Sequence, residues 1–312
     1  MGNLQRNFIN IDNLSIKKQL KFHICNIILL NDERLVISSY NQGLAICKQN
    51  FNKEEDFDII ISETKDSSNL FLLSNNKLIA YLNTFFIIEI LPNNNYKIIF
   101  EKNFSLEIRK VIEISNNKII LLFSNYLCVA SYNNINYHFQ IELMINTGFF
   151  GIDNKFSCFI TEVKNEKYLI HGNYNKIIFY SLNDFQIIKN RELPKNYILH
   201  GLFFLMNKQY LIYLISNFKK EKEIIFLDIK TNEIKEKIQF VSQLISAHLI
   251  LNDNSFLLSY IKNNNTHFKI YNNNKFHKEK NIKIKEIFKC ILYSKINKRL
   301  ICLSDNFLYY LE

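Results

Sequence analysis

The amino-acid sequence predicts an all-β fold of seven similar units, because one short pattern recurs seven times. In each unit an apolar run leads into an Asn-containing turn, and a second apolar run follows. The second run begins at intervals of 41 to 49 residues, at Leu35, Leu78, Ile119, Tyr168, Tyr210, Phe256 and Leu300. A period of about 40–45 residues filled with short strands is typical of β-propeller blades. We therefore expect a seven-bladed β-propeller of four-stranded antiparallel blades.

The composition agrees with this fold class. Hydrophobic residues make up 48% of the chain, which is enough for an extensive core. The 27 Phe and 17 Tyr suit pleated, half-buried strand surfaces. With only 6 Gly and 2 Pro, the turns depend mainly on Asn, Asp and Ser, whose side chains hydrogen-bond to nearby backbone.

The repeat also predicts the domain organisation. A closed ring of blades is one domain whatever its length, so we expect a single β-propeller domain over residues 1–312. The repeat units are then expected at approximately 20–62, 63–104, 105–146, 147–195, 196–241, 242–286, and 287–312 together with 1–19.

The first unit divides cleanly into four strands. The apolar runs predict strands at His23 to Leu30, Leu35 to Tyr40, Leu44 to Lys48 and Phe57 to Ile61. The second and third units repeat the first turn almost identically, as Ser-Asn-Asn-Lys at 74–77 and 115–118. Many of the runs are continuously apolar, as expected for strands that are covered on both faces by neighbouring blades. We expect no helix.

The end of the chain predicts how the ring closes. The last run, Phe307 to Leu311, is the third strand of the seventh unit, which then lacks its outer strand. The segment around Asn7 to Leu14 precedes the first unit and is free to supply that strand. We therefore expect the last blade to be closed by the N-terminal strand, which also protects open strand edges.

Two units resemble the WD-repeat family in sequence. The stretch Leu169 to Leu182 is similar to the second and third strands of such a repeat, and Ile224 to Glu233 resembles a strand ending with its following turn. Asp228 falls near the family's Asp, but the chain has no Gly-His dipeptide and no Trp. The family's buried Asp–His–Ser/Thr–Trp network therefore cannot be carried over. The resemblance implies a degenerate WD-repeat-like propeller that acts as a non-enzymatic scaffold for partner proteins.

No pattern of catalytic or metal-binding residues is evident. His171-Gly172 and His200-Gly201 lie near strand ends of consecutive units, where they are either ordinary strand-end histidines or neighbours on one rim. The six cysteines form no C-x-x-C pair and are expected to be free buried thiols. We expect no enzyme activity, cofactor or metal. An enzyme with its site in the central channel stays open as an alternative, and it requires inward-pointing carboxylates or histidines.

Phe149 and Phe150 form the first candidate contact site. They lie between Gly148 and Gly151, in the longest interval of the repeat. Two exposed Phe side chains on such a loop could anchor a partner. Alternatively, the loop tucks both rings into the core while the glycines relieve strain.

The second candidate is a basic patch. Residues 262–299 contain 11 Lys or Arg against 2 Glu, a local net charge of +9 in a chain of formal net charge +10. The lysines that we single out are Lys275, Lys278, Lys280, Lys283, Lys285 and Lys289. They are either the solvated edge of an outer strand or a site for an anionic membrane surface or another polyanion. Apolar and basic residues alternate over 282–285, which favours an outer strand of the sixth blade.

The remaining expectations concern location and partners. No secretory signal is visible, and no apolar run is long enough to span a bilayer. We expect an intracellular protein, cytoplasmic or nuclear, with protein partners. Aromatic residues are too sparse within the basic patch to stack on bases, so nucleic acid is an unlikely ligand.

Overall fold

Seven four-stranded antiparallel sheets make up the described part of the computed structural model, which is all-β. The structure describes residues 14–19, 24–39, 41–47, 57–92, 95–115, 117–133, 138–147, 158–163, 166–173, 175–206, 210–217, 222–240, 244–252, 255–262, 265–272, 275–284, 288, 290–294, 299–304 and 307–311. Within these ranges the only helical element is a single 3-10 turn, Ser62–Thr64.

Six of the sheets are simple meanders of consecutive strands. Strand β1, Leu14–Gln19, precedes them. Sheet 1 comprises β2 Ile24–Leu29, β3 Leu35–Ser39, β4 Gly43–Cys47 and β5 Phe57–Ile61. Sheet 2 comprises β6 Asn69–Leu72, β7 Leu78–Tyr81, β8 Thr84–Ile90 and β9 Tyr96–Asn103. Sheet 3 comprises β10 Lys110–Ser115, β11 Lys118–Leu122, β12 Tyr126–Tyr132 and β13 Phe139–Asn146.

The next three sheets have the same order. Sheet 4 comprises β14 Cys158–Val163, β15 Glu166–Asn173, β16 Lys176–Ser181 and β17 Ile187–Glu192. Sheet 5 comprises β18 Tyr197–Met206, β19 Tyr210–Asn217, β20 Lys222–Asp228 and β21 Ile234–Phe240. Sheet 6 comprises β22 Leu244–Asn252, β23 Ser255–Lys262, β24 Asn265–Asn272 and β25 Lys275–Ile284.

Sheet 7 unites the two ends of the chain. It contains β26 Cys290–Ser294, β27 Arg299–Leu303 and β28 Phe307–Leu311, and β1 pairs antiparallel with β28. Lys17 lies opposite Tyr309 in this pairing. The N-terminal partner strand runs from Leu14 to Gln19, so the expected segment around Asn7 to Leu14 was placed several residues too early.

Separate apolar cores lie between neighbouring sheets, which is a propeller-like arrangement. Described clusters of buried side chains join sheets 7 and 1, 1 and 2, 2 and 3, 3 and 4, and 4 and 5. Phe288 links sheets 6 and 7, because its ring lies 5.9 Å from Phe268 and 5.3 Å from Tyr309. The first strands of several consecutive sheets also contact one another, including β2 with β6 and β26.

Burial follows the position of a strand within its sheet. Every residue of β3, β4 and β7 is buried, as the continuous apolar runs predict. The outer strands β9 and β13 instead alternate mainly between half-buried and exposed residues. Middle strands therefore hold neighbouring sheets together, and outer strands meet solvent.

The Asn-containing turns owe their shape to one residue in the left-handed region. Between β6 and β7, Asn76 has φ 63° and donates its N–H to the Leu73 carbonyl, while the Leu73 N–H donates to the Lys77 carbonyl. Glu33 takes the same place between β2 and β3, with φ 65°. Asn adopts this conformation more easily than most residues, which explains why it substitutes for Gly in a Gly-poor chain.

A β-bulge interrupts the outer strand in each of sheets 1 to 5. In each case the register shifts where the outer strand pairs with the third strand of the sheet. In sheet 2, for example, Ile87 lies opposite Phe100 but Ile88 lies opposite Ile98. Bulges bend an edge strand and discourage pairing with other chains.

Candidate interaction surfaces

Buried polar side chains recur on the second strands, although not all of them face the same neighbouring sheet. The residue three places after the start of the repeated apolar run is Ser38, Tyr81, His171, Tyr213 and Ser259 in sheets 1, 2, 4, 5 and 6. All five are buried. The Ser38 hydroxyl donates to the Ser68 carbonyl at 2.7 Å, which ties sheet 1 to the connection that enters sheet 2. The sequence analysis missed these buried polar residues.

His171 belongs to this buried set and does not lie on a rim. It is fully buried, on β15 between Cys158 of β14 and Ile178 of β16. Burial, with a smaller contribution from the charge of Lys176, lowers the pKa of His171 from 6.5 to about 3. The imidazole is therefore neutral at physiological pH. His200 lies on β18, the first strand of sheet 5. Among the described residues no three His, Cys, Asp or Glu side chains are grouped as a metal site requires.

The predicted basic patch falls largely on the outer strand of sheet 6. Lys275, Lys278, Lys280 and Lys283 belong to β25, the edge strand of that sheet. Lys280 lies opposite Phe268, Lys278 opposite Ile270, and Lys275 opposite Asn272. Directly opposite residues share a face of the sheet, so these three lysines occupy one face. Lys285 and Lys289 lie outside the described residues.

A register irregularity brings Lys275 onto that face. Counting along a regular strand, Lys275 and Lys278 fall on opposite faces. The register shift between Ile270 and Asn272 moves Lys275 by one residue, to the side of Lys278. Glu279 lies opposite Lys269, on the other face. The sequence alone shows the concentration of lysines, but it does not show which of them share a face of the sheet.

Phe149 and Phe150 lie outside the described residues. They belong to the connection between β13 of sheet 3 and β14 of sheet 4.

Hydrogen bonds and ring contacts bridge several junctions between neighbouring sheets. We call each such junction a seam. At the seam of sheets 1 and 2, Arg34 donates to the Leu91 carbonyl at 2.8 Å. At the seam of sheets 2 and 3, Phe100 and Phe139 stack with ring centroids 5.1 Å apart, and the Lys102 ammonium lies 5.1 Å from the Phe139 ring. Phe100 and Lys102 belong to the outer strand of sheet 2, whereas Arg34 lies in the turn between β2 and β3 of sheet 1.

Two cations bridge the seam of sheets 4 and 5. The Lys189 ammonium lies 4.4 Å from the Phe179 ring and donates to the Ile229 carbonyl at 3.0 Å. Burial lowers the pKa of Lys189. Arg191 donates to the Asn232 carbonyl at 2.9 Å.

The seam of sheets 3 and 4 exposes apolar side chains instead. Leu143 of β13 is 37% exposed, and Ile187 of β17 is 57% exposed. Leu143 lies opposite Val129, and Ile187 lies opposite Tyr180. Val129 and Tyr180 pack in the core between these two sheets, so Leu143 and Ile187 lie on the facing surfaces. Ile188, the next residue of β17, is also exposed, whereas the exposed Met144 lies opposite Cys128 and therefore on the face towards sheet 2. We call Leu143, Ile187 and Ile188 the apolar seam.

Comparisons with known proteins agree on the fold. The chain resembles the β-propeller domain of Cps50 (Swd1) from Myceliophteria thermophila, with a TM-score of 0.69, 11% identity, and coverage of 96% of this chain and 99% of that one. It also resembles the Dos1 propeller, with a TM-score of 0.61, 10% identity, and coverage of 95% and 93%. These likenesses confirm the WD-repeat-like propeller fold.

A third solved structure matches over less than half of its own length. The extracellular domain of the putative hybrid two-component system BT4673 from B. thetaiotaomicron matches with a TM-score of 0.62 and 14% identity, over 95% of this chain but 39% of that one. In all, 1095 chains of solved structures match, so the fold by itself selects no activity. No protein-family model matches the sequence. No curated protein matches it either.

No helix in the described part of the chain is long and apolar enough to cross a bilayer.

Proposed function

We propose that the chain is a non-catalytic interaction scaffold that presents its rims, loops and outer strands to partner proteins in the cytoplasm or nucleus. The observation that carries this proposal is the contrast between outer strands that share one backbone plan. Strand β9 exposes Lys97 and Glu101, whereas β13 exposes Leu143 and Met144. Surface residues that differ among alike units are free to serve recognition, because a rigid scaffold holds them in place.

The proposal includes a closed ring of seven blades that forms one domain over residues 1–312. The pairing of β1 with β28 and the contacts of β26 with both β22 and β2 support closure. The buried cores between consecutive sheets support a single domain, since no described core stands apart from its neighbours.

The first strands of the sheets favour a scaffold over a channel enzyme. An active site needs nucleophiles, acids or bases that converge. The half-buried residues of these strands include Ile28, Phe71 and Leu292, which are apolar. Glu113 of β10 is half-buried, but its carboxylate accepts hydrogen bonds from the backbone N–H and hydroxyl of Ser74, at 2.7 and 2.8 Å. That carboxylate links two sheets.

Affinity purification of the tagged full chain, followed by mass spectrometry, tests the scaffold role. We expect at least one protein to co-purify in near-stoichiometric amount. Hydrogen exchange of the reconstituted complex then identifies the contact surface. Failure of every co-purified protein to bind the purified chain would count against the proposal.

A second candidate function is binding of anionic lipid through the basic patch of residues 262–299. The shared face of Lys275, Lys278 and Lys280 favours it, because Glu279 lies on the other face. Lysines near an anionic surface contribute roughly 1 kcal/mol each, and salt weakens the attraction.

Vesicle flotation tests this candidate with phosphatidylserine and with neutral lipid. We expect K275E/K278E/K280E to abolish flotation with phosphatidylserine. The matched control is K235E/K237E on β21, whose lysines are exposed on the outer strand of sheet 5. Equal flotation of both variants, or flotation that salt leaves unchanged, would exclude the patch.

A further inference from the structure

We infer that the apolar seam between sheets 3 and 4 is a docking site for one short amphipathic segment of a partner protein. This inference rests on the proposed scaffold function and assigns it a surface. It lies on the outer side of the sheets, away from the patch that the charge distribution indicated. Its residues are Leu143 of β13 with Ile187 and Ile188 of β17.

The seam is a continuation of the buried core between the two sheets. Val129, Ile178 and Tyr180 pack in that core, and Leu182 and Phe185 pack against it while only half-buried. Leu143 and Ile187 lie directly beside Val129 and Tyr180 in the strand register. A partner side chain placed here would therefore extend an existing apolar layer.

Comparison with the neighbouring seam explains the exposure of Leu143. In sheet 2, Phe100 follows the bulge of the outer strand, lies opposite Ile87, and stacks on Phe139 of sheet 3. Leu143 occupies the equivalent position of sheet 3, opposite Val129. A leucine carries no ring to cover the seam as Phe100 does. In sheet 4 the equivalent residue is Lys189, whose ammonium reaches sheet 5.

The bulges add to the exposure. Ile188 is the extra residue of the β17 bulge, between Ile187 and Lys189, and it is 50% exposed. The β13 bulge at Glu142 leaves Glu142, Leu143 and Met144 exposed in succession. Bulges aim side chains outward that a regular strand would turn inward.

The size of the patch fits a single segment. At these exposures the three side chains present roughly 270 Å² of apolar surface, an area that one short segment covers. A standard interface buries about 800 Å² on each partner. A second copy of this chain docked through the seam alone would fall short of that area, whereas one turn or strand of a partner covers it.

The charges beside the seam are balanced. Lys118 donates to Glu142 at 2.8 Å. Lys176 lies opposite Glu192 in the register of β16 and β17. Each side therefore carries one cation with one anion, and the seam attracts neither an anionic membrane nor a strongly charged peptide. The fitting occupant is a segment with an apolar face and no large net charge.

A display experiment with the full chain tests the inference. A phage library of random 12-residue peptides is selected on the immobilised protein, and the enriched peptides are synthesised with a fluorescent label for anisotropy titration. We expect peptides with two or three large apolar residues. The variant L143D/I187D should raise their Kd at least about tenfold, since two charges replace the apolar contact surface.

The matched control is L91D/L106D. Leu91 and Leu106 are 39% and 40% exposed, and they follow β8 and β9 of sheet 2. This variant should bind the peptides like the unmodified chain. Because a charged variant can misfold, hydrogen exchange of the unmodified protein with bound peptide serves as the second measurement, and protection should appear on β13 and β17.

The possible outcomes distinguish failure of the proposed docking site from failure of the scaffold function. Peptides that bind but protect another surface would overturn the seam and leave the scaffold standing. Self-association that L143D/I187D abolishes, seen by sedimentation, would replace the partner segment by a second copy and overturn the inference. If no peptide is enriched, the seam is not a peptide site, and co-purification of partners then decides the scaffold function separately.

Discussion

Acidification should destabilise the protein through His171. The pKa of this buried histidine is about 3 in the folded chain, whereas an ordinary solvent-exposed histidine has a pKa of 6.5, so between these pH values the unfolded chain binds a proton that the folded chain does not. Stability is therefore complete above pH 6.5 and falls as the pH falls. Integration from pH 7 to pH 5 gives a loss of about 2 kcal/mol from this one residue.

Urea unfolding at pH 7 and pH 5 measures this loss. Carboxylates also titrate towards the lower pH, so the contribution of His171 is the difference in pH dependence between the unmodified chain and H171N. The matched control is H138N, because His138 is exposed. Between pH 7 and pH 5, we expect the free energy of unfolding of H171N to fall by about 2 kcal/mol less than that of the unmodified chain. The free energy of unfolding of H138N should fall as it does for the unmodified chain. Because H171N also changes the packing around this position, only the pH dependence is compared.

Equal pH dependence of H171N and the unmodified chain would refute the argument. An independent reading comes from the histidine proton resonances of the unmodified protein. The His171 imidazole should stay neutral at pH 5 as long as the protein is folded, and a titration midpoint near 6 would contradict the burial that lowers its pKa.

Three further predictions concern stability. G43A should cost more than about 1 kcal/mol, because Gly43 has φ +95° and an added Cβ would meet the Ile61 carbonyl oxygen; urea unfolding measures it. S38A should cost about 1–3 kcal/mol, since it leaves the Ser68 carbonyl without its 2.7 Å hydrogen bond; the same assay measures it. Deletion of residues 1–19 removes β1 and opens the edge of β28, so the unfolding midpoint should fall and the truncated chain should self-associate in sedimentation.

Exposed positions provide the controls for these variants. E101A replaces an exposed residue of the outer strand β9 and should leave the midpoint almost unchanged. A G43A midpoint equal to that of the unmodified chain would mean that the turn relaxes without cost. An unaltered S38A would show that another group satisfies the Ser68 carbonyl. A monomeric truncated chain with the original midpoint would mean that β1 adds nothing to sheet 7.

Much of the fold could be predicted because local signals agree with the burial pattern. Strand β5 runs from Phe57 to Ile61 as predicted, and β3 and β4 differ from their predicted ends by one residue. Continuous apolar runs predict the buried middle strands, and Asn in the turns predicts the hairpins that connect strands. The N-terminal strand was placed too early because Leu14–Gln19 reads LSIKKQ, which is too polar to stand out. Its pairing with β28 is a long-range effect that no local pattern encodes.

The surfaces were harder to predict, because register decides which residues meet. The sequence shows a concentration of lysines in 262–299 but cannot show that Lys275 shares a face with Lys278, since that depends on an irregularity in the pairing of β24 and β25. His171 looked like a strand-end histidine beside a glycine, and its burial follows from the sheets that cover β15. The lysines and histidines were visible in the sequence, but their neighbours were not.

The exposure of the apolar seam also could not be predicted from the sequence. Leu143 and Ile187 are ordinary residues for an outer strand, and in the sequence they resemble core positions. Their exposure depends on three separate facts: the bulge in each strand, the face that each residue occupies, and the absence of a ring at the place where sheet 2 has Phe100. If exposure at this seam is selected for binding, restoring the ring should close it. L143F should therefore weaken peptide binding while it stabilises the fold, and that combination distinguishes a retained binding surface from an imperfectly packed core.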